Sequence, residues 1–241
     1  MKKRVNDIFY SLQGEGHNTG RAAVFIRFAG CNLRCPFCDT EFDSYREMSD
    51  EEILTVVSDF RLQTTDCRPQ TTDYRLLVVL TGGEPTLQVD AAFVDLLHEH
   101  GYEVAMESNG TRPAPRNLDW LTVSPKVLGG ETFSGERSEV RGERLPDELK
   151  VIFDEHTDPE AYLPSPVTRH PSPITHHPSP ITHHPSPITH HPSPIKHLYL
   201  QPCDTGDAQR NADITARCID YIKHHPWWRL SLQTHKLIGF K

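Results

Sequence analysis

The sequence lacks the features that would place the protein in a membrane or on a nucleic acid. None of its apolar runs approaches the roughly 18 residues that a membrane-spanning helix needs. The first ten residues, MKKRVNDIFY, contain no apolar segment of the kind that a signal peptide requires. The net charge is −8, and no cluster of lysine or arginine offers a surface to nucleic acid. We therefore expect a cytoplasmic protein that binds a small molecule, with neither a membrane nor a nucleic acid as its partner.

The length and the cysteine content suggest a single domain with reduced thiols. At 241 residues, the chain is long enough for one domain with a sizeable core. Its six cysteines should be reduced in the cytoplasm, which favours metal ligation over disulfides. Three of them stand alone in the sequence, and we interpret them as buried thiols: Cys67, Cys203 and Cys218. We expect one domain over residues 1–241, interrupted by a low-complexity insertion at 164–196.

The other three cysteines form a C-x3-C-x2-C pattern in the stretch CNLRCPFCDT: Cys31, Cys35 and Cys38. A loop this short is unsuited to disulfides, but it can direct three thiolates at one metal centre. No further cysteine or histidine comes before Cys67, and Asp39 is the only close substitute for a fourth ligand. Three thiolates on a four-iron cluster leave one iron open to an external ligand, which indicates a catalytic site. Structural zinc, which a fourth residue would close, stays the alternative.

Short apolar runs alternate with helical segments along the rest of the chain. We predict strands, each with the turn that follows it, at 22–28, 76–80, 102–106, 121–126, 149–154 and 197–200, and a closing strand at 227–236. We predict helices after a capping box at Ser49 and Glu52, over 89–100 and over 208–224. This alternation predicts a mostly parallel α/β sheet with right-handed crossovers. The polar turns that follow its strands should line one crevice.

Several polar side chains occupy positions that suit a ligand. Glu15 stands between two glycines, in a turn-rich stretch before the first predicted strand, where its carboxylate suits an amino-pyrimidine edge; an ordinary glycine turn is the alternative. Arg27 interrupts an apolar strand and is costly to bury unless it meets a carboxylate, either from a ligand or in a structural salt bridge. Glu107 and Ser108 follow another strand, as ligand contacts or as part of a plain Asn-Gly turn.

A repeat of the unit PSPITHH, which begins at Pro171 and degrades to PSPIKH by Lys196, breaks the α/β pattern. Its seven-residue period does not indicate a coiled coil, because two prolines in each unit forbid a continuous helix. We interpret the segment as an extended or disordered loop inserted between two strands, where extra length costs little. Metal binding by its His-His pairs is the alternative.

The motifs together resemble a known enzyme family. The C-x3-C-x2-C loop, with Phe37 before its last cysteine, resembles the signature of the radical S-adenosylmethionine (SAM) superfamily, and TGGEP at 81–85 resembles that superfamily's contact with the SAM amino group. The stretch NDIFYSLQGEG at 6–16 and the terminal QTHK at 233–236 resemble the 7-carboxy-7-deazaguanine synthases. The resemblance implies a partial (β/α) barrel in a shortened form.

The resemblance also implies cofactors and site residues. The three cysteines would hold a 4Fe–4S cluster, and Thr40 would contribute to a Mg²⁺ site. SAM would contact Phe37, Cys38, Asp39, Gly83, Ser124, Pro125, Lys126, Gln201, Pro202, Cys203 and Asp204. The substrate residues, including the two carboxylates discussed above, would be Leu12, Gln13, Gly14, Glu15, Arg27, Thr81, Glu107 and His235.

The implied reaction converts 6-carboxy-5,6,7,8-tetrahydropterin to 7-carboxy-7-deazaguanine with loss of ammonia, a step toward deazapurines such as queuosine. It needs an electron donor such as a flavodoxin or ferredoxin, and the family resemblance suggests a homodimer. Two other functions stay open at this point. One is a different radical SAM enzyme, such as a glycyl-radical activase, and LQGEG, Arg27 and QTHK argue against it. The other is a zinc-binding module without enzymatic activity.

Overall fold

The structure is a computed structural model that describes residues 2–38, 40–41, 43–63, 75–126, 144–163 and 194–240. Asp39, Cys67 and nearly all of the predicted insertion, residues 164–193, lie outside these ranges. Within the described residues, no helix combines the length and the apolar character needed to cross a membrane.

The described residues form one nine-stranded sheet in the order β3-β1-β2-β4-β5-β6-β7-β8-β9. The strands are β1 Lys3–Leu12, β2 Ala22–Phe28, β3 Arg46–Met48, β4 Leu76–Gly82, β5 Tyr102–Ser108, β6 Trp120–Val123, β7 Glu148–Phe153, β8 His197–Pro202 and β9 Arg229–Leu230. From β2 to β9 every neighbouring pair is parallel, whereas β1 is antiparallel to both β2 and β3. In the described part of the chain the sheet stays open between β3 and β9, as a partial barrel requires.

Four helices accompany these strands in the described ranges: α1 Asp50–Gln63, α2 Ala91–Glu99, α3 Ala208–His224 and α4 Thr234–Ile238. Short 3-10 turns lie at Pro85–Leu87 and Pro159–Tyr162. The predicted capping box is confirmed at the start of α1, where the Ser49 amide donates to Glu52 (2.6 Å) and the Glu52 amide donates to the Ser49 hydroxyl (3.2 Å). The helix α3 has its predicted bounds, and α2 is shorter than predicted because the Asp90 side chain caps it.

The two faces of the sheet are buried in different ways. The outer face packs against the helices in one large apolar cluster that includes Val24, Val78 and Phe93. The inner face carries only a small cluster, in which Phe25 and Val79 pack with the partly buried Phe9. Residues 76–80 are all buried, as expected of a strand covered on both sides. The small inner cluster leaves room for a cavity on the concave face.

Two sequence predictions at the ends of the chain were wrong. The first strand is β1, and it covers most of the stretch that was interpreted as a turn-rich segment before Ala22. Its residues are mostly half-exposed and polar, so the apolar pattern does not reveal it; pairing with β2 forms it instead. The closing strand predicted at 227–236 is only two residues long, β9, and is followed by α4. The chain turns there because the Thr234 amide and hydroxyl donate to the carbonyl of Gly14, at 3.1 and 2.9 Å.

Candidate active site

The carboxyl ends of the parallel strands surround a cavity of about 460 Å³ on the concave face. Nearly all of the site residues predicted from the sequence line it: Leu12, Gln13, Gly14, Glu15, Arg27, Cys31, Cys35, Phe37, Cys38, Thr40, Thr81, Gly83, Glu107, Ser124, Lys126, Gln201, Pro202, Cys203, Asp204 and His235. Pro125 is not in the lining, and Asp39 lies outside the described residues. A single cavity therefore brings together side chains from both ends of the chain.

The cysteine loop forms one wall of this cavity. Cys31 and Cys35 are half-buried and Cys38 is exposed, and all three thiols are free. Burial raises the pKa of Cys31 and Cys35, so these thiols keep their protons until a metal displaces them. The Cys31 sulfur already accepts hydrogen bonds from the Leu33 amide (3.4 Å) and from Asn109 Nδ2 (3.9 Å). Such N–H donors are the partners that cluster-bound sulfur uses, so the loop fits a 4Fe–4S cluster.

Structural zinc, the other interpretation of the three cysteines, would need four ligands around one ion. Asp39, the only close candidate for the fourth ligand in the sequence, lies outside the described residues. Among the described residues, no group of three or more histidine, cysteine, aspartate or glutamate side chains is arranged to hold a single metal ion.

The TGGEP turn packs directly against the entry to the cysteine loop. The Gly83 amide donates to the Phe28 carbonyl (2.8 Å), and the Glu84 amide donates to the Gly30 carbonyl (2.9 Å). A Cβ atom on Gly83 would lie 1.9 Å from the Gly30 oxygen. The missing side chain at Gly83 therefore makes room for this protein's own backbone, a role that the sequence did not predict.

Glu84 joins three loops of the site and was missed in the sequence. Its fully buried carboxylate accepts hydrogen bonds from the Ser108 hydroxyl (2.9 Å) and from the Asn109 amide (2.7 Å). Asn109 in turn donates to Asn32 in the cysteine loop, at 3.0 Å. Ser108 is therefore engaged within the protein, although it reaches the cavity lining. In the sequence, the signal for Glu84 is an acidic residue directly after the glycine pair that ends an apolar run.

A charged network forms the opposite wall of the cavity. Lys150, on β7, contacts the carboxylate of Glu15 closely and that of Glu107 at 3.5 Å. Gln13 Nε2 donates to the second oxygen of Glu107 (2.7 Å), and Gln233 Nε2 donates to the second oxygen of Glu15 (3.0 Å). Lys150 was not among the predicted site residues, although a lysine in the mostly apolar strand ELKVIF carries the same signal as Arg27 in β2.

The network determines the protonation states of Glu15 and Lys150. Burial alone would raise the pKa of Glu15, but the charge of Lys150 and the hydrogen bonds from Lys150 and Gln233 lower that pKa to about 2. Burial alone would lower the pKa of Lys150, but the charges of Glu107, Glu15 and Glu148 raise it instead. The wall therefore presents the ionised carboxylate of Glu15 beside the charged ammonium group of Lys150.

Arg27 faces the same cavity without an ion-pair partner in the described part of the chain. Its guanidinium lies 5.3 Å from the centre of the Phe9 ring, and the side chain is half-buried. The stacking orients the guanidinium and leaves its hydrogen-bond donors for another group. Of the two interpretations given to Arg27, the structural salt bridge has no described partner, which favours a ligand carboxylate.

Many of the residues assigned to SAM lie at the carboxyl ends of β6 and β8, two strands that β7 separates in the sheet. After β6, Lys126 Nζ donates to the Ser124 hydroxyl (2.8 Å) and lies 5.8 Å from the centre of the Phe37 ring. After β8, the Asp204 carboxylate is already paired with Lys236 (2.9 Å), and hydrogen bonds from Lys236 and from the protein backbone lower its pKa to about 2. Asp204 therefore links α4 to the end of β8. A ligand that binds Asp204 would have to share its carboxylate with Lys236.

The last helix closes the cavity beside the first loop. A Cβ atom on Gly14 would lie 2.5 Å from His235 Nδ1, so any larger residue there would force the histidine side chain to shift. Two of the three isolated cysteines are confirmed as buried thiols, Cys203 at the cavity and Cys218 in the helix-packed core. Cys67 lies outside the described residues.

Comparisons with known proteins agree with this arrangement. Residues 25–124 match the family model of the Radical SAM superfamily. The 7-carboxy-7-deazaguanine synthase of Bacteroides thetaiotaomicron is 39% identical over 241 residues, which cover all of both chains. The 7-carboxy-7-deazaguanine synthase of Nitratidesulfovibrio vulgaris is 38% identical over an alignment of 259 residues that covers 99% of each. The crystal structure of QueE from Escherichia coli has a TM-score of 0.64 at 27% identity, covering 96% of this chain and 94% of that one.

An open, mostly parallel sheet with three free cysteines at the carboxyl edge defines a radical SAM protein, as the superfamily match also indicates. The similarity to the two synthases extends well beyond that superfamily segment and covers the chain almost from end to end. The chain belongs to the 7-carboxy-7-deazaguanine synthase family.

Proposed function

We propose that this protein converts 6-carboxy-5,6,7,8-tetrahydropterin to 7-carboxy-7-deazaguanine with loss of ammonia. The observation that carries the proposal is a cavity that joins three free cysteines, a carboxylate network and an arginine with no ion-pair partner among the described residues. A cavity of about 460 Å³ has the size of a site for a small ligand. That size favours a pterin over the protein substrate of a glycyl-radical activase.

The two polar features of the substrate wall match the two polar parts of the pterin. The Arg27 guanidinium can hold the substrate carboxylate with two parallel hydrogen bonds, and its stacking on Phe9 orients it for that contact. The carboxylates of Glu15 and Glu107 are acceptors only, so they suit the N–H groups of the amino-pyrimidine ring. The side-chain carbonyl of Gln13 is less free, because it already accepts from the Glu15 amide at 3.1 Å.

The cysteine wall fits the cofactors of the superfamily. Cys31, Cys35 and Cys38 would hold the 4Fe–4S cluster, and the turns at Gly83, 124–126 and 201–204 would hold SAM. When bound, the cluster and SAM would supply the radical chemistry needed at C6 of the pterin. The protein's own residues hold that carbon in place and exclude water from the concave face.

Magnesium binding rests on a single residue of this chain. Thr40 lines the cavity two positions after Cys38, and its hydroxyl is the hard oxygen ligand that Mg²⁺ prefers. One hydroxyl is a weak site, so the substrate's carboxylate and carbonyl would supply much of the remaining shell. We further propose that the enzyme works in the cytoplasm as a homodimer, reduced by a flavodoxin or a ferredoxin.

The test is anaerobic incubation of the reconstituted protein with SAM, a reductant and 6-carboxy-tetrahydropterin. We expect a deazaguanine carboxylate and one equivalent of ammonia, with neither formed by the Cys35→Ala variant. Iron and sulfide incorporation should precede activity. Protein that takes up stoichiometric zinc, and never iron and sulfide, would contradict the proposal.

A further inference from the structure

Lys150 occupies an unusual position in the site. It is a lysine that lines the cavity from β7, a strand whose other residues are apolar except Glu148, and only 3% of its surface is exposed. A buried ammonium group is costly unless charged partners surround it. Its partners come from distant parts of the chain, Glu15 from the loop after β1 and Glu107 from the end of β5.

The contacts give each carboxylate the same arrangement. One oxygen of Glu15 and one of Glu107 meet the Lys150 ammonium, and the other oxygen of each accepts from a glutamine amide. An ionised carboxylate has about four acceptor positions, so each keeps capacity beyond these bonds. Both carboxylates also line the cavity. Lys150 therefore stands between two acceptor groups that remain accessible to a ligand.

We propose that Lys150 is a positioning residue, whose ammonium group holds the Glu15 and Glu107 carboxylates at a fixed separation so that both accept N–H groups of the substrate's pyrimidine ring. The inference rests on the function proposed above and names the residue that holds its two substrate-binding carboxylates in place. Like charges in a buried site cannot both persist without a counter-ion, and one carboxylate takes up a proton. A protonated carboxyl group becomes a donor and loses part of its acceptor capacity.

Among the described residues, Lys150 is the basic group in contact with both carboxylates. The charged and titratable groups facing the network from the packed elements are Glu107 on β5, Glu148 on β7, Glu15 after β1, Lys126 after β6 and His235 on α4. Burial raises the pKa of Glu148 to about 7, so this group is about half ionised at pH 7 and adds negative charge above it. Burial also lowers the pKa of Lys126, whose ammonium is bonded to Ser124. Arg27 lines the same cavity, but no ion pair joins it to either carboxylate in the described part of the chain.

The test compares the pH dependence of substrate affinity in the parent and in Lys150→Met, which keeps the volume and removes the charge. In the parent, Glu15 stays ionised between about pH 6 and about pH 8, so KM for the carboxy-tetrahydropterin should change there only as far as Glu148 titrates. In Lys150→Met, a carboxyl group should titrate within this range, and KM should rise by up to about tenfold for each pH unit below its new pKa. The rise in KM should exceed the fall in kcat at saturating substrate.

Lys3→Met is the matched control. Lys3 is also 3% exposed and paired with a carboxylate, that of Asp50, but it packs at the helix side and does not line the cavity. Its loss should lower thermal stability and leave the pH profile of KM unchanged. If Lys150→Met keeps the parent's pH profile of KM, the inference is overturned. Loss of a lysine with only a structural role would change stability and not this profile.

A second measurement does not depend on the folding of the variant. Carboxyl ¹³C chemical shifts of labelled glutamate in the parent, assigned through Glu15→Gln and Glu107→Gln, report each protonation state directly. Glu15 should be ionised at about pH 6 in the parent, and a proton on it at that pH would overturn the inference. The outcomes are also distinguishable from failure of the proposed function, in which the parent itself makes no deazaguanine.

Discussion

Arg27 offers a sharp test of the substrate assignment, through the conservative change Arg27→Lys. In the described structure the guanidinium stacks on Phe9 and has no carboxylate partner of its own chain. The change should therefore cost little folding stability, since no internal ion pair is lost. Lysine keeps the positive charge, but its single ammonium group cannot reproduce the planar, two-bond contact of a guanidinium with a carboxylate.

The magnitude follows from the lost hydrogen bond. A charge-assisted hydrogen bond in a desolvated pocket contributes about 1.5 to 3 kcal/mol, and loss of the stacking on Phe9 adds to this cost. A total of about 2 to 3 kcal/mol corresponds to roughly a 30- to 150-fold weaker productive binding of the carboxy-pterin. Misplacement of C6 should lower turnover further and increase the uncoupled cleavage of SAM.

The assay measures KM for the pterin and the ratio of deazaguanine to 5′-deoxyadenosine at saturating SAM. Arg21→Lys serves as the matched control, because Arg21 makes a two-bond contact with Glu103 of the same chain, at 2.9 and 2.8 Å. That variant should lose some stability and keep the parent's KM and product ratio. If Arg27→Lys also keeps both values, Arg27 does not hold the substrate, and the reasoning from its missing partner is wrong.

Three further predictions concern the other parts of the structure. Replacing Cys31, Cys35 or Cys38 by Ala should abolish iron incorporation and SAM cleavage, whereas Cys218→Ala should keep both, since that thiol is buried in the core; iron and sulfide analysis decides. Gly83→Ala should lower the free energy of unfolding by at least about 3 kcal/mol in urea, because its Cβ would meet the Gly30 backbone, whereas Gly20→Ala, with open space and φ of 87°, should cost only about 1 to 2 kcal/mol. Equal losses would contradict that explanation. Replacing residues 164–193 by a short Gly/Ser linker should leave the thermal midpoint and turnover near the parent's values, and loss of folding would show that the insertion has a structural role.

The parallel part of the sheet could be predicted from the sequence because its strands are buried. Residues 76–80 form a continuous apolar run, and their turn at 81–85 lies where strand ends meet in such folds. The strand β1 could not be recognised in the same way, because its half-exposed polar residues are held by pairing with β2 and β3. Pairing depends on contacts that a local pattern does not contain.

The site was predicted where a motif or an out-of-place charge marks it. Arg27 was recognised as a charge in an apolar strand, and Lys150 carries the same signal, but its partners Glu15 and Glu107 lie 135 and 43 positions away in the sequence. Only the fold brings these three groups together. For the same reason the sequence did not show that Gly83 packs on the Gly30 backbone, nor that Thr234 turns the chain toward Gly14.

The central claim is that the cavity holds the pterin with C6 facing the radical that the cofactors supply. The most direct measurement uses 6-carboxy-tetrahydropterin deuterated at C6, incubated anaerobically with the reconstituted enzyme, SAM and a reductant. We predict that deuterium appears in 5′-deoxyadenosine and that 7-carboxy-7-deazaguanine forms. SAM cleavage that proceeds without deuterium transfer, and without a deazaguanine product, would contradict it.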